Sequence, residues 1–325
     1  MRRVVVQIDI SRDIRKMDAL GLLPRLTDDK TTGRGILWGT DAYAYQGSSY
    51  EKDHEIKADL ITGQNAELIQ TRASKAMAAQ SERTRQRAEV FTPIWVCRQM
   101  NDQADDVWFG RKNAFFVEAT PTEVVDFTDT PGWKKYVDSR RMEITCGEGP
   151  FLVSRYDADT GEIIPVQDRV GMLDRKLRVV SENAASEEEW VKWAIRAVES
   201  VYGFEFQGDN LLIARINVLM TFAEYMQQRW GREPTLAEYR KVANTVAWNL
   251  WQMDGLTGTI PYAYVQDEPQ YIQESLFDGM EEDFPVEPKN PQPRCTIYDW
   301  RAREPLLYQT RLDENEKEKR GKAAT

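Results

Sequence analysis

The stretch "RMEITCGEGPFLVSRYD", residues 141 to 157, sets an acid, Glu143, just ahead of two glycines one residue apart, Gly147 and Gly149, with an aromatic, Phe151, behind them. Two later segments also end in acids: Glu205 in "GFEF" and Asp254 in "WQMDGL". Glycine permits positive φ and close approach of backbone to a ligand. A carboxylate at the end of an adjacent strand can accept hydrogen bonds from a ribose diol. In a doubly wound sheet, ligands sit at the carboxyl ends of the strands, so turns with acids and glycines there would form one crevice. That chemistry suits an adenosine-containing cofactor. A bare G-x-G is weak on its own, since strand-to-helix turns often need glycine and Asp254 could equally be a turn or cap residue.

Elements able to position these residues are readable along the chain. Residues 1 to 62 read as a small mixed α+β region with short strands at "VVVQIDI" and "GILWGT". A helical pattern starts at residue 63 and runs to "RAEV"; Thr92 and Pro93 in "FTP" then start another helix, expected to end before "NDQADD". "GWKKYVDSRR" reads as a short helix leading into the strand "MEIT". Residues 169 to 183 and 186 to 202 are helix candidates, the second opened by Ser186 and Glu189 in capping-box spacing. After "GFEF" come a long amphipathic helix stopped at Gly231, a helix "TLAEYRKVANTVA", and the strands "WNLWQM" and "RCTIYDW". Alternating strands and helices predict an α/β fold with a doubly wound, mostly parallel sheet covered on both faces. Its domain spans 63 to 310, followed by a charged tail at 311 to 325. Glu205 lies 62 residues after Glu143, against about 20 in the dinucleotide fingerprint. A helical insertion over about 161 to 200 is therefore expected to pack outside the sheet.

Composition narrows the function classes. No run approaches the roughly 18 consecutive apolar residues of a membrane span, and the N-terminal apolar run is too short for a signal peptide, so a cytoplasmic protein without membrane contact is expected. Cys97, Cys146 and Cys295 lack C-x-x-C spacing, which points to neither zinc nor disulfides. The single histidine, His54, sits in a polar run, which argues against histidine triads and His-metal clusters; no metal site is expected. A net charge of -10 argues against non-specific coating of nucleic acid. Basic residues nevertheless gather at Arg72, Lys75, Arg83, Arg85 and Arg87, and again at Lys134, Lys135, Arg140 and Arg141. They form either a solvated helix face or a phosphate-facing patch. The acidic segment 267 to 288, within a loop over about 265 to 290, holds no basic residue and could repel or mimic nucleic acid.

The order of "AEVFTPIWVC", "MEITCGEGPFLVSRYD", "RVGMLDRKLRVVSEN", "YGFEFQGDNLLIARINVLMTF" and "WNLWQMDGLTGTIPY" resembles the class I S-adenosylmethionine-dependent DNA methyltransferases that modify adenine N6. More narrowly, it resembles bacterial and phage proteins called restriction endonuclease subunit M. The resemblance implies a Rossmann-like fold, S-adenosylmethionine as cofactor, DNA as partner, and a place in restriction-modification or phage defence, with a separate specificity or nuclease subunit or a homo-oligomer as further partners. It also implies roles. Thr92 would touch the methionine end of the cofactor, with Gly147 and Gly149 beneath it, Glu143 near the amino group, and Phe151 closing the pocket. Glu205 would hold the ribose hydroxyls, Phe206 would lie against adenine, and Asp254 would accept from the adenine amine.

This sequence departs from the family in lacking the Asn/Asp-Pro-Pro-aromatic tetrapeptide that grips the target base. The nearest positional equivalent is Asp299 and Trp300 in "IYDWRA", an acceptor beside an aromatic, which would align the adenine amine for in-line attack. The missing prolines leave a second reading open, a catalytically inactive methyltransferase-fold subunit serving DNA binding or complex assembly. A third, a metal-dependent nuclease built on Asp283, Glu287 and Lys289, is weakened by the proline-interrupted loop around them. Of ten tryptophans, most are expected in the core and some could form an interface.

Overall fold

The computed structural model describes residues 6–75, 92–118, 120–262 and 293–308. Two helices, α1 (Ile10–Ala19) and α2 (Leu23–Leu26), precede a short hairpin of β1 (Asp28–Asp29) and β2 (Arg34–Gly35). Helix α3 (Ile94–Phe109) is followed by the small pair β3 (Phe116–Val117) and β4 (Thr120–Pro121), then by α4 (Trp133–Val137). Next come β5 (Arg141–Glu143), α5 (Met172–Asn183), α6 (Glu187–Glu199), β6 (Val201–Glu205), α7 (Gly208–Trp230), α8 (Leu236–Asn249) and β7 (Leu250–Gln252). The hairpin of β8 (Thr296–Asp299) and β9 (Glu304–Leu307) closes the described chain.

Strands β5, β6 and β7 form a parallel sheet in that order, with Glu143 opposite Gly203 and Glu205 opposite Gln252. Every residue of β6 is buried, as a central parallel strand requires. Alternate side chains serve different cores. Val201 joins Leu211, Leu212, Val242 and Trp190 in the large helical core, whereas Tyr202 and Phe204 join Trp251, Met253 and Cys295 beneath Ile297, Trp300 and Tyr308. Among the described residues, helices thus cover one face and the β8–β9 hairpin the other. The architecture is the mixed helix-and-sheet one expected, and its parallel sheet holds three strands among the described residues.

Other expectations are corrected for identifiable reasons. Residues 6 to 9 make no strand beyond an isolated bridge of Gln7 with Glu162, because Asp9 accepts from the Ser11 and Arg12 amides and starts α1. In "GILWGT", Gly35 ends β2 and Leu37 makes an isolated antiparallel bridge with Glu55, flanked by the Trp38 amide donating to the His54 carbonyl and the Ile56 amide to the Ile36 carbonyl. On its other side Gln252 Oε1 accepts from the Leu37 amide at 2.7 Å and Nε2 donates to its carbonyl at 2.8 Å. Residues 63 to 75 form only short 3-10 turns, Gly63–Asn65 and Arg72–Ser74, and the Arg72 amide is spent on Glu148. Helix α3 runs through "NDQADD" because Asn101 and Asp105 turn inward. Asn101 donates to the Phe151 and Val170 carbonyls, and Asp105 accepts from Arg141 and Arg175. Helices α5 and α6 form the crossover from β5 to β6, with Leu177, Val180, Trp190 and Ala194 fully buried. The capping at Ser186 holds, its hydroxyl accepting from the Glu189 amide at 3.2 Å. The acidic segment 267 to 288, Arg83, Arg85, Arg87, the proposed nuclease trio and the charged tail lie outside the described residues.

The N-terminal residues share the main core, Ile14, Met17, Leu22 and Leu26 packing in one cluster with Leu212 and Val246. Arg215, fully buried, fastens them: its guanidinium donates to the carbonyls of Leu26, Asp28, Leu250 and Ala247. The Leu26 and Ala247 carbonyls lie in the last turns of α2 and α8, where orphaned acceptors favour a cation. Burial draws the Arg215 value down to about 10. The Gln252 contacts make a direct test. Gln252→Leu leaves the Leu37 amide and carbonyl unpaired, at about 1–3 kcal/mol for each buried group. Urea denaturation is expected to register a loss of at least ~2 kcal/mol; a loss below ~0.5 kcal/mol would contradict the pairing.

Candidate functional site

The glycine turn stands directly on the end of β5. Thr145, Gly147 and Gly149 have φ of 47°, 54° and 81°. The two glycines occupy this left-handed region at little steric cost, so the G-x-G is required by the turn itself. The turn also needs space in the neighbouring strand. A Cβ on Gly203 would lie 3.3 Å from both Cys146 Sγ and Leu152 Cδ1, so the central strand carries glycine where the turn packs on it.

Two strand-end carboxylates hold this turn. Glu143, buried, accepts from the Phe151 amide at 3.3 Å and the Leu152 amide at 2.9 Å. Glu205, equally buried on the adjacent strand, accepts from the Gly147 amide at 2.8 Å and the Gln207 amide at 3.1 Å. Burial pushes the Glu143 carboxyl well above the ordinary range, the two amides pull it down, and the nearby Glu205 charge pushes it up again. On the third strand, the Met253 amide donates to the Glu205 carbonyl and brings Asp254 to the same edge. Asp254 is half-buried and caps its own turn, accepting from the Leu256 amide at 2.8 Å. The three acids therefore stand at the carboxyl ends of three adjacent parallel strands.

The remaining expected residues divide between two ends of the sheet. Phe206 follows Glu205 and meets Tyr262 edge to face at 5.6 Å. Thr92 precedes α3, whose Cys97 is buried close enough to Glu143 to feel its charge. Phe151 is half-buried, its carbonyl bound to Asn101. Asp299 and Trp300 are elsewhere, which corrects their expected position. Strand β8 starts beside the Gln252 carbonyl, 3.4 Å from Cys295 Sγ, and runs toward the opposite edge. There Asp299 accepts from Arg140 at 2.8 and 2.9 Å, immediately before β5, and Trp300 donates to Asn249 at 2.7 Å, immediately before β7. The length of β6, about 13 Å at ~3.3 Å per residue, separates this pair from the glycine turn.

Comparison of the chain with protein-family models, curated proteins and solved structures gives no match. The site's chemistry must be read from its own residues.

Sequence reading missed a second layer of acids. Glu148, between the two glycines, accepts from the Arg72 amide and from the Tyr156 hydroxyl, each at 2.6 Å; burial raises its carboxyl although Lys75 lies near. Asp209 in the first turn of α7 accepts from the Tyr43 hydroxyl at 2.7 Å and faces Lys75 Nζ at 3.4 Å. Their signal was faint: Glu148 is the variable residue of the G-x-G, and Asp209 follows Glu205 at a helix start where an acid is common.

The Glu143 environment implies a pH effect. A carboxyl raised in the folded state contributes stability that is full below its unfolded value and is lost as pH rises through the folded one. Glu143→Gln cannot ionise. Relative to the native chain, it is expected to become progressively more stable from about pH 5 to about pH 8. Urea unfolding at both values checks this; a constant or oppositely changing difference would show that Glu143 is ordinarily ionised.

Proposed function

We propose that this chain is an S-adenosylmethionine-binding, DNA adenine-N6 methyltransferase-like protein of a restriction-modification or phage-defence system. The observation that carries the reading is the glycine turn held between Glu143 and Glu205 on neighbouring parallel strands, with Asp254 ending the third. The donor and acceptor set fits the cofactor. Glu205 would accept from the ribose hydroxyls, Asp254 from the adenine amine, and the Phe206–Tyr262 pair offers aromatic surface for the base. Thr92, at the head of α3, and Glu143 would serve the methionine end. When bound, the cofactor supplies an electrophilic methyl group. The chain's part is to orient it and keep water from it.

The position of Asp299 and Trp300 favours a second reading, a catalytically inactive methyltransferase-fold subunit acting in DNA binding or complex assembly. Asp299 is engaged by Arg140 and by the Arg301 and Ala302 amides at the amino edge, so it has no part in the proposed chemistry. Calorimetry with S-adenosylmethionine, then labelled-methyl transfer to mixed DNA, separates the two. Binding with transfer supports the enzyme, and binding alone supports the inactive subunit. Glu205→Ala is expected to weaken cofactor binding by roughly 10- to 100-fold, the worth of hydrogen bonds to a charged group. Failure of the native chain to bind would overturn both readings.

A further inference from the structure

The amino edge of the sheet opens into a cleft of about 1010 Å³ between α6, α4 and the β8–β9 hairpin, at the opposite end from Glu205. Its walls are aromatic and charged. Trp193, Tyr298 and Trp300 are half-buried there, and Tyr298 and Trp300 pack with ring centroids 4.6 Å apart. The bond from Trp300 to Asn249 fixes the indole. Several acids also line the cleft, and four of them share three arginines. Arg196 pairs with Asp138 and Glu199, Arg301 also with Asp138, and Arg232 with Glu187 and Glu238. Glu188 alone of the lining acids makes no ion pair among the described residues, and it sits in the first turn of α6 where the helix dipole holds it.

The cations show the reverse pattern. Lys135, Lys192, Lys241 and Arg303 line the same cleft, are exposed, and form no ion pair within 4 Å among the described residues. The lining holds seven cationic side chains against five acids, so in a chain of net charge -10 this cleft carries a modest net positive charge beside aromatic faces. That combination recognises single-stranded nucleic acid, whose phosphates seek cations and whose unstacked bases stack on Trp and Tyr. A duplex keeps its bases stacked inside and could reach only the rim.

We propose that this cleft binds single-stranded DNA, separately from the cofactor seat at the other edge. Fluorescence anisotropy of a short labelled oligo(dT) with the full chain tests it. Binding is expected, with a strong salt dependence. The double variant Lys192→Glu, Lys241→Glu is expected to weaken it about tenfold or more, and Trp193→Ala by roughly 5- to 100-fold, each with unchanged circular dichroism. Calorimetry on the lysine variant should leave cofactor binding intact, so failure here and failure of the methyltransferase reading remain distinguishable. Absence of binding, variants that bind as the native chain does, or equal competition by duplex DNA or poly-glutamate would each overturn the proposal.

Discussion

The bond between Glu205 and the Gly147 amide joins a strand and a turn that are remote in sequence, and with the Cys146 amide donating to the Phe204 carbonyl it seats the glycine turn on β6. Glu143 makes the companion contact from the end of β5, holding the Phe151 and Leu152 amides. Removing a carboxylate from water costs several kcal/mol, while each hydrogen bond to a charged group returns about 1.5–3 kcal/mol. Two buried acids near each other are therefore close to break-even. The raised Glu143 carboxyl expresses this tension. Under the proposed reading, a cofactor bearing hydroxyl and ammonium donors and a sulfonium charge would relieve it, so a site poorly balanced alone becomes well balanced when filled.

The rest of the fold keeps these groups in place. Gly203 admits the turn against the central strand, and Asn101 on α3 holds the Phe151 carbonyl. Asp105, shared by Arg141, Arg175 and Tyr136, fastens the same helix to the foot of β5. Arg215 and Gln252 secure the N-terminal segment to the far strand.

Strongly periodic or capped segments were legible in the sequence: α5 to α8, the stop at Gly231, and the strands ending in Glu143, Glu205 and Gln252. Their acids come to one edge because parallel connections return every strand in the same direction. What could not be read depends on tertiary partners. Residues 63 to 75 have good helical composition, but Glu148 captures the Arg72 amide. Around Leu37 the expected strand shortens to an isolated bridge with Glu55, and the residue's own amide and carbonyl face the side chain of Gln252. Asn101 and Asp105 look like helix breakers until their inward bonds are known. The same blindness placed Asp299 and Trp300 wrongly: residue type says acceptor and aromatic, but only the antiparallel return of β8 shows which end of the sheet receives them.

The sheet thus has two chemically different edges, an acid-and-glycine edge at its carboxyl ends and a basic, aromatic edge at its amino ends. The central claim concerns the first, and amide hydrogen exchange over residues 143 to 152, with and without S-adenosylmethionine, tests it most directly. Exchange at Gly147 through Leu152 should slow when the cofactor is added. Saturable binding that leaves this turn unchanged and protects another region would contradict the account.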